Sequence, residues 1–397
     1  MRLLFSPRNS TQRFLNFLLS PHWILLIPAT LSGLAWFIPD EYGFYKGFTY
    51  PEKVNVLSLG LVISWYLLIA LFTYFAFNTG KKVKILNDVN TFSSLDNVWL
   101  YRFYSWVSII GLSATIYSTI SYLGFGAFIN AVASFTTNTI ADAIYEQGYS
   151  VGLYSLRYVI IISFALACFR LYKRKKFIAF DAINILLFLI YIVFWGRRLQ
   201  LICSLLVFLC LANSQKDMMQ RINIKKFYTF LIFGLILLVS ATVLRNYGTY
   251  LERGYSNPII VTFANVIEYL ASPFQVSLSI GNNLEKALNS IPYREFTNIS
   301  TALTTNSAFA GLIYKLGIFV FPYIILISIV FGFLAGFFFK NKHNYLYLGY
   351  PVILYAYSEV WRIELFFKGI FLTLLITSIG AVLIHTILCN LSKRKLS

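Results

Sequence analysis

The sequence is dominated by apolar runs that are each long enough to cross a lipid bilayer as a single helix. About 17–25 consecutive apolar residues cover the roughly 30 Å of hydrocarbon in a membrane. Backbone N–H and C=O groups find no water there, so such a run folds as a helix, which pairs them internally. We therefore predict an all-α, polytopic integral membrane protein with about 10 transmembrane helices. The candidate spans are 21–38, 54–77, 104–126, 152–172, 177–195, 199–214, 227–244, 312–339, 345–361 and 365–388.

The composition favours a membrane protein over a soluble one. Apolar residues make up 58% of the chain and charged residues 12%, with a mean hydropathy of +0.70, whereas soluble domains carry about 25% charged residues. No low-complexity linker divides the chain, so we expect one membrane domain over residues 1–397. The first apolar run follows Arg2, Arg8 and Arg13 but is not followed by a small-residue cleavage site. We therefore expect a retained helix rather than a signal peptide.

Lysine and arginine are distributed unevenly between alternate loops. Loops such as 81–84, 173–176 and 216–226 are strongly basic, whereas the loops between them balance cations with carboxylates. Cytoplasmic loops carry the excess of Lys and Arg. We therefore expect both termini in the cytoplasm and a multi-pass protein of the bacterial inner membrane. The net charge of +18 then reflects topology, and we expect no nucleic-acid partner.

A few charged residues fall near or within the predicted spans. We expect Asp181 to pair with the lysines that precede its helix, and Arg170, near a helix end, to extend its guanidinium to the membrane surface. For Arg157 and Lys315 the sequence leaves two alternatives open, a functional site inside the membrane and contact with outer headgroups. The remaining span interiors are expected to be nearly free of charge.

One long polar segment, residues 245–307, is predicted to be a large outer-face (periplasmic) loop. Its stretch 258–271 is apolar but too short to cross a bilayer, so we expect an interfacial helix at the outer leaflet. Glu268 within this stretch is a candidate general base for an acceptor hydroxyl, provided that burial raises its pKa. A solvated charge on the polar face of the helix is the alternative for Glu268.

Arginines are concentrated at the same predicted outer face. Arg197 and Arg198 form a tight turn between two apolar helices, and Arg245 begins the long loop. Guanidinium groups bind phosphate oxygens bidentately, so we predict a site for a lipid-linked phosphate, with ordinary anchoring to headgroups as the alternative. Further candidates for substrate binding are Arg253 and Arg294, Tyr247 and Tyr250, whose rings can stack on sugars, and Asn298, which supplies neutral hydrogen-bonding groups.

The predicted cytoplasmic face carries no recognisable nucleotide or metal motif. It has no Walker A sequence, no glycine-rich turn between a strand and a helix, and no paired aspartates suited to a metal. The four cysteines lie in apolar runs without metal-ligand spacing, and all three histidines map to the cytoplasmic half. We therefore expect no metal, no cofactor and no structural disulfide.

Three short stretches resemble the O-antigen polymerase (Wzy-type) family of membrane glycosyltransferases. The turn Gly196-Arg197-Arg198-Leu199-Gln200-Leu201 resembles the glycine–arginine turn of that family. Near and after the end of the polar segment, Thr297-Asn298-Ile299-Ser300-Thr301 and Tyr314-Lys315-Leu316-Gly317 resemble its threonine–asparagine and aromatic–glycine segments. The plan of helices and outer loop resembles that of the GT-C-like membrane glycosyltransferases.

The resemblance implies polymerisation of undecaprenyl-pyrophosphate-linked oligosaccharide repeat units into O-antigen or capsular polysaccharide, at the outer face of the inner membrane. The sugar–pyrophosphate bond would supply the energy, so no metal or nucleotide would be needed. Arg197, Arg198, Arg245 and Arg253 would hold and neutralise the leaving pyrophosphate, with Glu268 as the base. Members of the family usually act with a chain-length regulator protein, which is a candidate partner.

Three alternatives remain beside a polymerase. An O-antigen ligase resembles the same plan, but ligases usually carry a histidine motif in the outer loop, and residues 245–307 contain no histidine. A flippase or other transporter of lipid-linked oligosaccharides would be expected to have a cationic central cavity and two matching halves, and no internal repeat is evident. A structural membrane protein without catalysis is the third alternative.

Overall fold

The computed structural model describes an all-helical protein. The residues described are 14–39, 46–83, 98–134, 140, 152–173, 176–195, 198–214, 232, 236, 239–240, 251, 254, 257–289, 291–299, 307–342 and 344–394. The helices are α1 (Pro21–Trp36), α2 (Val56–Gly80), α3 (Val98–Leu123), α4 (Phe125–Ala133), α5 (Ile160–Tyr172), α6 (Ala179–Trp195), α7 (Arg198–Ser214), α8 (Pro258–Asn282), α9 (Leu284–Leu288), α10 (Ala308–Leu316), α11 (Val320–Lys340), α12 (Gly349–Glu359) and α13 (Gly369–Arg394). Short 3-10 helices cover Gly152–Val159, Tyr293–Glu295, Gly317–Phe319 and Tyr345–Leu348.

Among the described residues, six helical segments are long and apolar enough to cross a membrane, which confirms the prediction of an all-helical, multi-pass membrane protein. They are Val56–Gly80, Trp99–Leu123, Gly152–Tyr172, Ile259–Asn282, Ala308–Lys340 and Gly369–Cys389. Helices α6 and α7 are shorter, with 17 residues each, and α1 has 16 residues. The predicted span 227–244 lies almost wholly outside the described residues. The predicted total of about 10 spans therefore stays a prediction.

The bundle has two distinct ends. At one of them Asn213, near the end of α7, donates from Nδ2 to Oδ1 of Asn16 at 2.8 Å. Lys81, directly after α2, lies over the ring of Phe339 from the last turn of α11. We call this the basic end. Residues 46–55 and 283–299 lie at the opposite end, which we call the loop end, where Asn55 donates to Asn282 at 2.8 Å. Which end faces the cytoplasm stays a prediction.

Helices α2 and α11 pack closely because glycines lie at their crossing. A Cβ atom on Gly80 would lie 2.1 Å from the carbonyl oxygen of Phe333, and one on Gly336 would lie 2.1 Å from that of Phe77. Small residues allow membrane helices to approach backbone to backbone. Any larger side chain at these two positions would push the helices apart.

Helix α8 corrects the prediction of a short interfacial helix at 258–271. It contains 25 residues, continues through Pro273 and is about 37 Å long. Its first turn is capped by the side chain of Asn257, which accepts from the N–H of Ile259 at 2.9 Å, while Pro258 takes the first helical position, which tolerates a missing N–H. More than half of the apolar window Ile259–Asn282 is buried. The helix is therefore long enough to span, because the residues after Pro273 extend it.

Helix α8 runs in the same direction as α1. Ser32 donates to the carbonyl oxygen of Leu270 at 2.6 Å, and about one turn later Trp36 donates from Nε1 to Gln275 at 2.6 Å. Both helices therefore run from the basic end towards the loop end. The prediction that residues 245–307 form one surface loop is therefore wrong for Pro258–Asn282, because these residues form α8 within the bundle. Residues 283–299 lie at the loop end.

A buried ion pair between α5 and α6 corrects two further predictions. Arg170 Nε lies 3.2 Å from Asp181 Oδ1, with the two side chains 7% and 1% exposed, and Tyr101 donates its hydroxyl to the same oxygen at 2.7 Å. Arg170 therefore does not extend to the membrane surface, and it is the partner of Asp181 in place of the predicted lysines. The reason is that a carboxylate inside the bundle needs a buried cation and hydrogen-bond donors. Arg157 is also buried and donates to Tyr158 at 3.1 Å.

Candidate functional site

Most of the arginines and tyrosines predicted to bind substrate lie outside the described residues. This holds for Arg197, Arg245, Arg253, Tyr247 and Tyr250. Arg198 is the first residue of α7, and its side chain is not described. Helix α7 packs against α12, and its Cys203 lies within electrostatic range of Glu359. The predicted arginine turn therefore precedes a helix that packs against α12. The turn after α12 contributes to the wall of a cavity.

Glu268 does not lie on the outer surface where the sequence analysis placed it. Its side chain is 4% exposed, and it lies 14 residues before the end of α8, about 21 Å along the helix from the loop end. The solvated alternative for Glu268 is therefore wrong. The next residue, Tyr269, packs its ring against Trp361, with the ring centres 5.9 Å apart.

Asn298 is bound within the protein by both halves of its amide. Its Oδ1 accepts from Gln275 Nε2 at 2.9 Å, and its Nδ2 donates to the carbonyl oxygen of Tyr50 at 2.7 Å. Gln275 also accepts from Trp36 Nε1 and from the backbone N–H of Glu52 at 3.0 Å. This cluster fastens segment 46–55 to α8, so Asn298 has a structural role, and its predicted contact with sugar stays a prediction.

Arg294 lies at the loop end on the 3-10 turn Tyr293–Glu295, and its side chain is exposed. Tyr293, the residue before it, lines a cavity of about 260 Å³. Arg294 is therefore next to this cavity but does not form its wall. The wall comes from α10, from the turn between α12 and α13, and from the residues that precede these helices: Tyr293, Ser307, Ala308, Gly311, Leu312, Tyr314, Lys315, Arg362, Ile363, Glu364 and Lys368.

The cavity reaches from the loop end into the bundle. Ser307, at the cap of α10, contacts Ser277 of α8 with the two Oγ atoms 2.8 Å apart. Deeper in the bundle, the carbonyl oxygen of Trp361 accepts from the hydroxyl of Tyr66 at 3.3 Å. Tyr66 is 10 residues into α2, about 15 Å from its start. Arg362, the residue after Trp361, therefore lies near the middle of the bundle.

Arg362 is the most buried cation of the cavity wall. Its side chain is 8% exposed and forms an ion pair with Glu359, which is 6% exposed, one helical turn earlier. The guanidinium carbon lies 4.8 Å from the centre of the Tyr269 ring, and Nε has no hydrogen-bond partner among the described residues. Nε is itself buried, so the contact of Arg362 with the cavity comes from other atoms of its side chain.

Among the described residues of the wall, Lys315 and Lys368 add two exposed cations and Glu364 adds a carboxylate. Glu364 accepts from the backbone N–H of Phe367 at 3.3 Å. Burial raises the pKa of Glu364 above its ordinary value, while the N–H groups of 366 and 367 and the charges of Lys368 and Lys315 oppose this rise. The wall therefore combines an excess of positive charge with a carboxylate that takes up a proton more readily than one in water.

Arg362, Glu364 and Lys368 were not among the predicted site residues, because they fall between the predicted spans 345–361 and 365–388 or at the start of the second one. One signal was present: Glu359 and Arg362 are three residues apart, and i,i+3 partners meet on a helical turn. Two charges at that spacing inside a long apolar stretch indicate a buried pair. Lys315 was singled out, and its exposed position on the cavity wall does not decide between a functional role and headgroup contact.

Within the described residues, no group of three or more His, Cys, Asp or Glu side chains is arranged to hold a metal ion. No protein-family model matches the chain, and no curated protein or solved structure matches it.

Proposed function

We propose that the protein is a membrane glycosyltransferase that polymerises undecaprenyl-pyrophosphate-linked oligosaccharide repeat units into O-antigen or capsular polysaccharide. The observation that carries the proposal is the cavity at the loop end, whose wall combines three cations with one carboxylate. A leaving pyrophosphate needs cations that are fixed in place before its charge develops. The resemblance of three short stretches to O-antigen polymerases supports the same function, and Lys315 in the third stretch lines the cavity.

The cavity suits a phosphate group better than a whole oligosaccharide. Its volume of about 260 Å³ is below the roughly 300–1,000 Å³ of ordinary small-molecule pockets. In the proposed complex the pyrophosphate of the donor lipid contacts Arg362, Lys315 and Lys368. The sugars extend towards Tyr293 and Arg294 at the loop end. Of the predicted arginines, Arg197 and Arg198 remain candidates for further contacts with the same group. Arg245 and Arg253 come before α8, whose first residue lies at the end of the bundle away from the cavity, so they are not assigned to this site.

Glu364 takes the role of general base in this proposal. The acceptor hydroxyl oxygen bonds to the anomeric carbon of the donor sugar, and the bond from that carbon to the pyrophosphate oxygen breaks. The hydroxyl proton passes to Glu364, and the electron pair of the broken bond leaves with undecaprenyl pyrophosphate. Glu364 is preferred to Glu268 because it lines the cavity, and a base must reach the proton that it removes.

The experiment that tests this function is complementation of a strain from which the gene is deleted, with the surface glycan analysed on a gel. We expect glycans of a single repeat in the deletion strain, long polymer with the wild-type gene, and single repeats with Arg362→Lys or Glu364→Gln. Lys286→Gln is the matched control, because Lys286 is exposed at the loop end and lies outside the cavity wall. Normal polymer with both cavity variants would refute the proposed site.

A flippase for the same lipid-linked oligosaccharide is the second candidate. A nearly uncharged interior was expected, and this expectation argued against a transporter. The buried ion pair of Glu359 and Arg362 shows that the expectation is wrong. The pair therefore favours a transporter. Loss of a flippase leaves no repeat on the final acceptor, whereas loss of a polymerase leaves one. Purified protein in liposomes separates the two activities further, since polymerisation lengthens the glycan and translocation only changes the side on which it is found.

A further inference from the structure

A second cavity lies at the basic end, on the opposite side of the bundle from the proposed active site. Its volume is about 340 Å³, and it is bounded by the residues before α1, by His22 in the first turn of α1, by the last turns of α2 and by the last turn of α11. Its wall includes Asn16, Ser20, Tyr74, Phe77, Lys81 and Phe339. The volume is within the range of pockets that hold small ligands, roughly 300–1,000 Å³.

Among the described residues of this wall, Lys81 carries the positive charge. Its ammonium nitrogen lies 4.1 Å from the centre of the Phe77 ring and 5.4 Å from that of Phe339, and it lies 3.3 Å from Oδ1 of Asn78. The side chain is half-buried, and no carboxylate among the described residues forms an ion pair with it. Burial lowers the pKa of Lys81, because a partly desolvated ammonium without a counter-charge is disfavoured.

The surface beside the cavity is apolar and aromatic. Phe14 and Phe17, before α1, are 59% and 44% exposed, and Tyr74 and Phe75 of α2 are 45% and 60% exposed. Exposed aromatic side chains in a membrane protein face lipid and concentrate at the boundary with the headgroups. The cation is therefore reached from the lipid-facing side of the bundle, next to a surface on which hydrocarbon chains can pack.

We propose that this cavity binds the headgroup of an anionic phospholipid from the leaflet at the basic end, with the phosphate against Lys81 and the acyl chains along Phe17, Tyr74 and Phe75. A basic pocket between membrane helices is the arrangement that recognises such headgroups. A free phosphate ion would satisfy Lys81 but would leave the aromatic surface unused. The proposal does not depend on the enzymatic activity, because the two cavities lie at opposite ends of the bundle.

The test uses the full-length protein purified in detergent and measures its melting temperature with added lipid. We expect phosphatidylglycerol to raise the melting temperature of the wild type, while phosphatidylcholine and inorganic phosphate at equal concentration do not. Lys81→Gln should lose at least half of this shift and Lys81→Arg should keep it. Lys82→Gln is the matched control, because Lys82 is the neighbouring exposed lysine and does not line the cavity.

Two outcomes would overturn the proposal in this assay: an equal shift in Lys81→Gln and the wild type, or an equal shift with inorganic phosphate. A second measurement needs no variant. Native mass spectrometry of the wild type from an equimolar mixture should show bound phosphatidylglycerol in preference to phosphatidylcholine. Equal retention of the two lipids would mean that the cavity does not recognise the anionic headgroup.

Discussion

Glu359 and Arg362 form an ion pair inside the bundle, one turn apart at the end of α12, with both side chains less than a tenth exposed. The same arginine lines the cavity that opens towards the loop end. One side chain therefore belongs to two environments, since one of its nitrogens neutralises a buried carboxylate while the residue also lines the cavity. Its role in folding and its role in binding can be separated by mutation.

Removing Arg362 alone should destabilise the protein strongly. Arg362→Ala leaves Glu359 buried without its cation, and breaking a buried ion pair from one side costs about 3–5 kcal/mol. Replacing both partners, with Glu359→Leu and Arg362→Met, should restore most of that stability, because apolar replacements of buried pairs are often neutral or stabilising. Thermal unfolding in detergent measures both effects. The double variant should still fail to make polymer, and full polymer length in it would mean that Arg362 does not bind substrate.

Neutralising the exposed cations of the cavity should impair polymerisation without unfolding the protein. Hydrogen bonds to charged groups contribute about 1.5–3 kcal/mol, so Lys315→Gln and Lys368→Gln should each slow transfer by about tenfold or more. The initial rate of polymer formation by each purified variant, divided by that of the wild type, measures this effect. An unchanged melting temperature is the control for folding, and rates within twofold of the wild type would remove the two lysines from the site.

The pH dependence of activity should report on Glu364. A base acts only when deprotonated, so activity should fall as the pH drops through the pKa of Glu364, which burial raises above its ordinary value. The charge of Lys368 opposes this rise. Lys368→Gln should therefore move the acid limb of the pH–rate profile to higher pH. Each profile is expressed as a fraction of the maximal rate of the same protein. An acid limb at the same pH in both proteins would exclude Glu364 as the titrating group.

Asn298→Ala should lower stability rather than sugar affinity. It removes one partner from Gln275 Nε2 and one from the carbonyl oxygen of Tyr50, which still bond to each other at 3.0 Å, and each lost hydrogen bond costs about 0.5–1.5 kcal/mol. Asn289→Ala is the control, since Asn289 is exposed at the same end of the bundle. The melting temperature should fall for Asn298→Ala alone. Activity per folded molecule should stay close to that of the wild type, and a selective loss of substrate affinity would restore the predicted binding role.

The crossing of α2 and α11 should not tolerate a side chain. In Gly336→Leu the Cβ alone would lie 2.1 Å from the carbonyl oxygen of Phe77, and the rest of the side chain adds further atoms. Overpacking of this kind costs about 1–3 kcal/mol or more. Gly380→Leu is the control, because nothing lies within 4 Å of a Cβ built there. The yield of monodisperse protein after detergent extraction should fall for the first variant only. Equal yields would show that the two helices can separate at little cost.

The broad fold could be predicted because hydrocarbon imposes helices of a fixed length on apolar sequence. Helix α8 was misjudged because Pro273 suggested an end, whereas neighbouring helices bury the segment on both sides of it and hold it continuous. Arg170 and Asp181 were misassigned for a related reason. Their pairing joins two helices, and the spacing of residues along the chain does not show which helices pack together.

The cavity itself could not be located from the sequence. The sequence indicated cations at one end of the bundle, and Lys315 lies on the cavity wall. Asn298 was chosen for its hydrogen-bonding groups, but a polar side chain carries no sign of whether protein or ligand will satisfy it. Arg362 was counted among loop residues because the sequence does not show that the turn after α12 folds back into the bundle.

The turn after α12 also affects the thickness of the apolar layer that separates the aqueous phases on the two sides of the membrane. Helix α12 has only 11 residues, about 16 Å, and the chain after it leaves the helical conformation beside a polar cavity. Irregular backbone at membrane depth is tolerated where it is enclosed by protein or lines a hydrated space. The cavity at Arg362 therefore replaces part of the roughly 30 Å of hydrocarbon in an undisturbed bilayer with a polar space. A voltage across the membrane falls more steeply there, and a charged group entering the cavity experiences part of it.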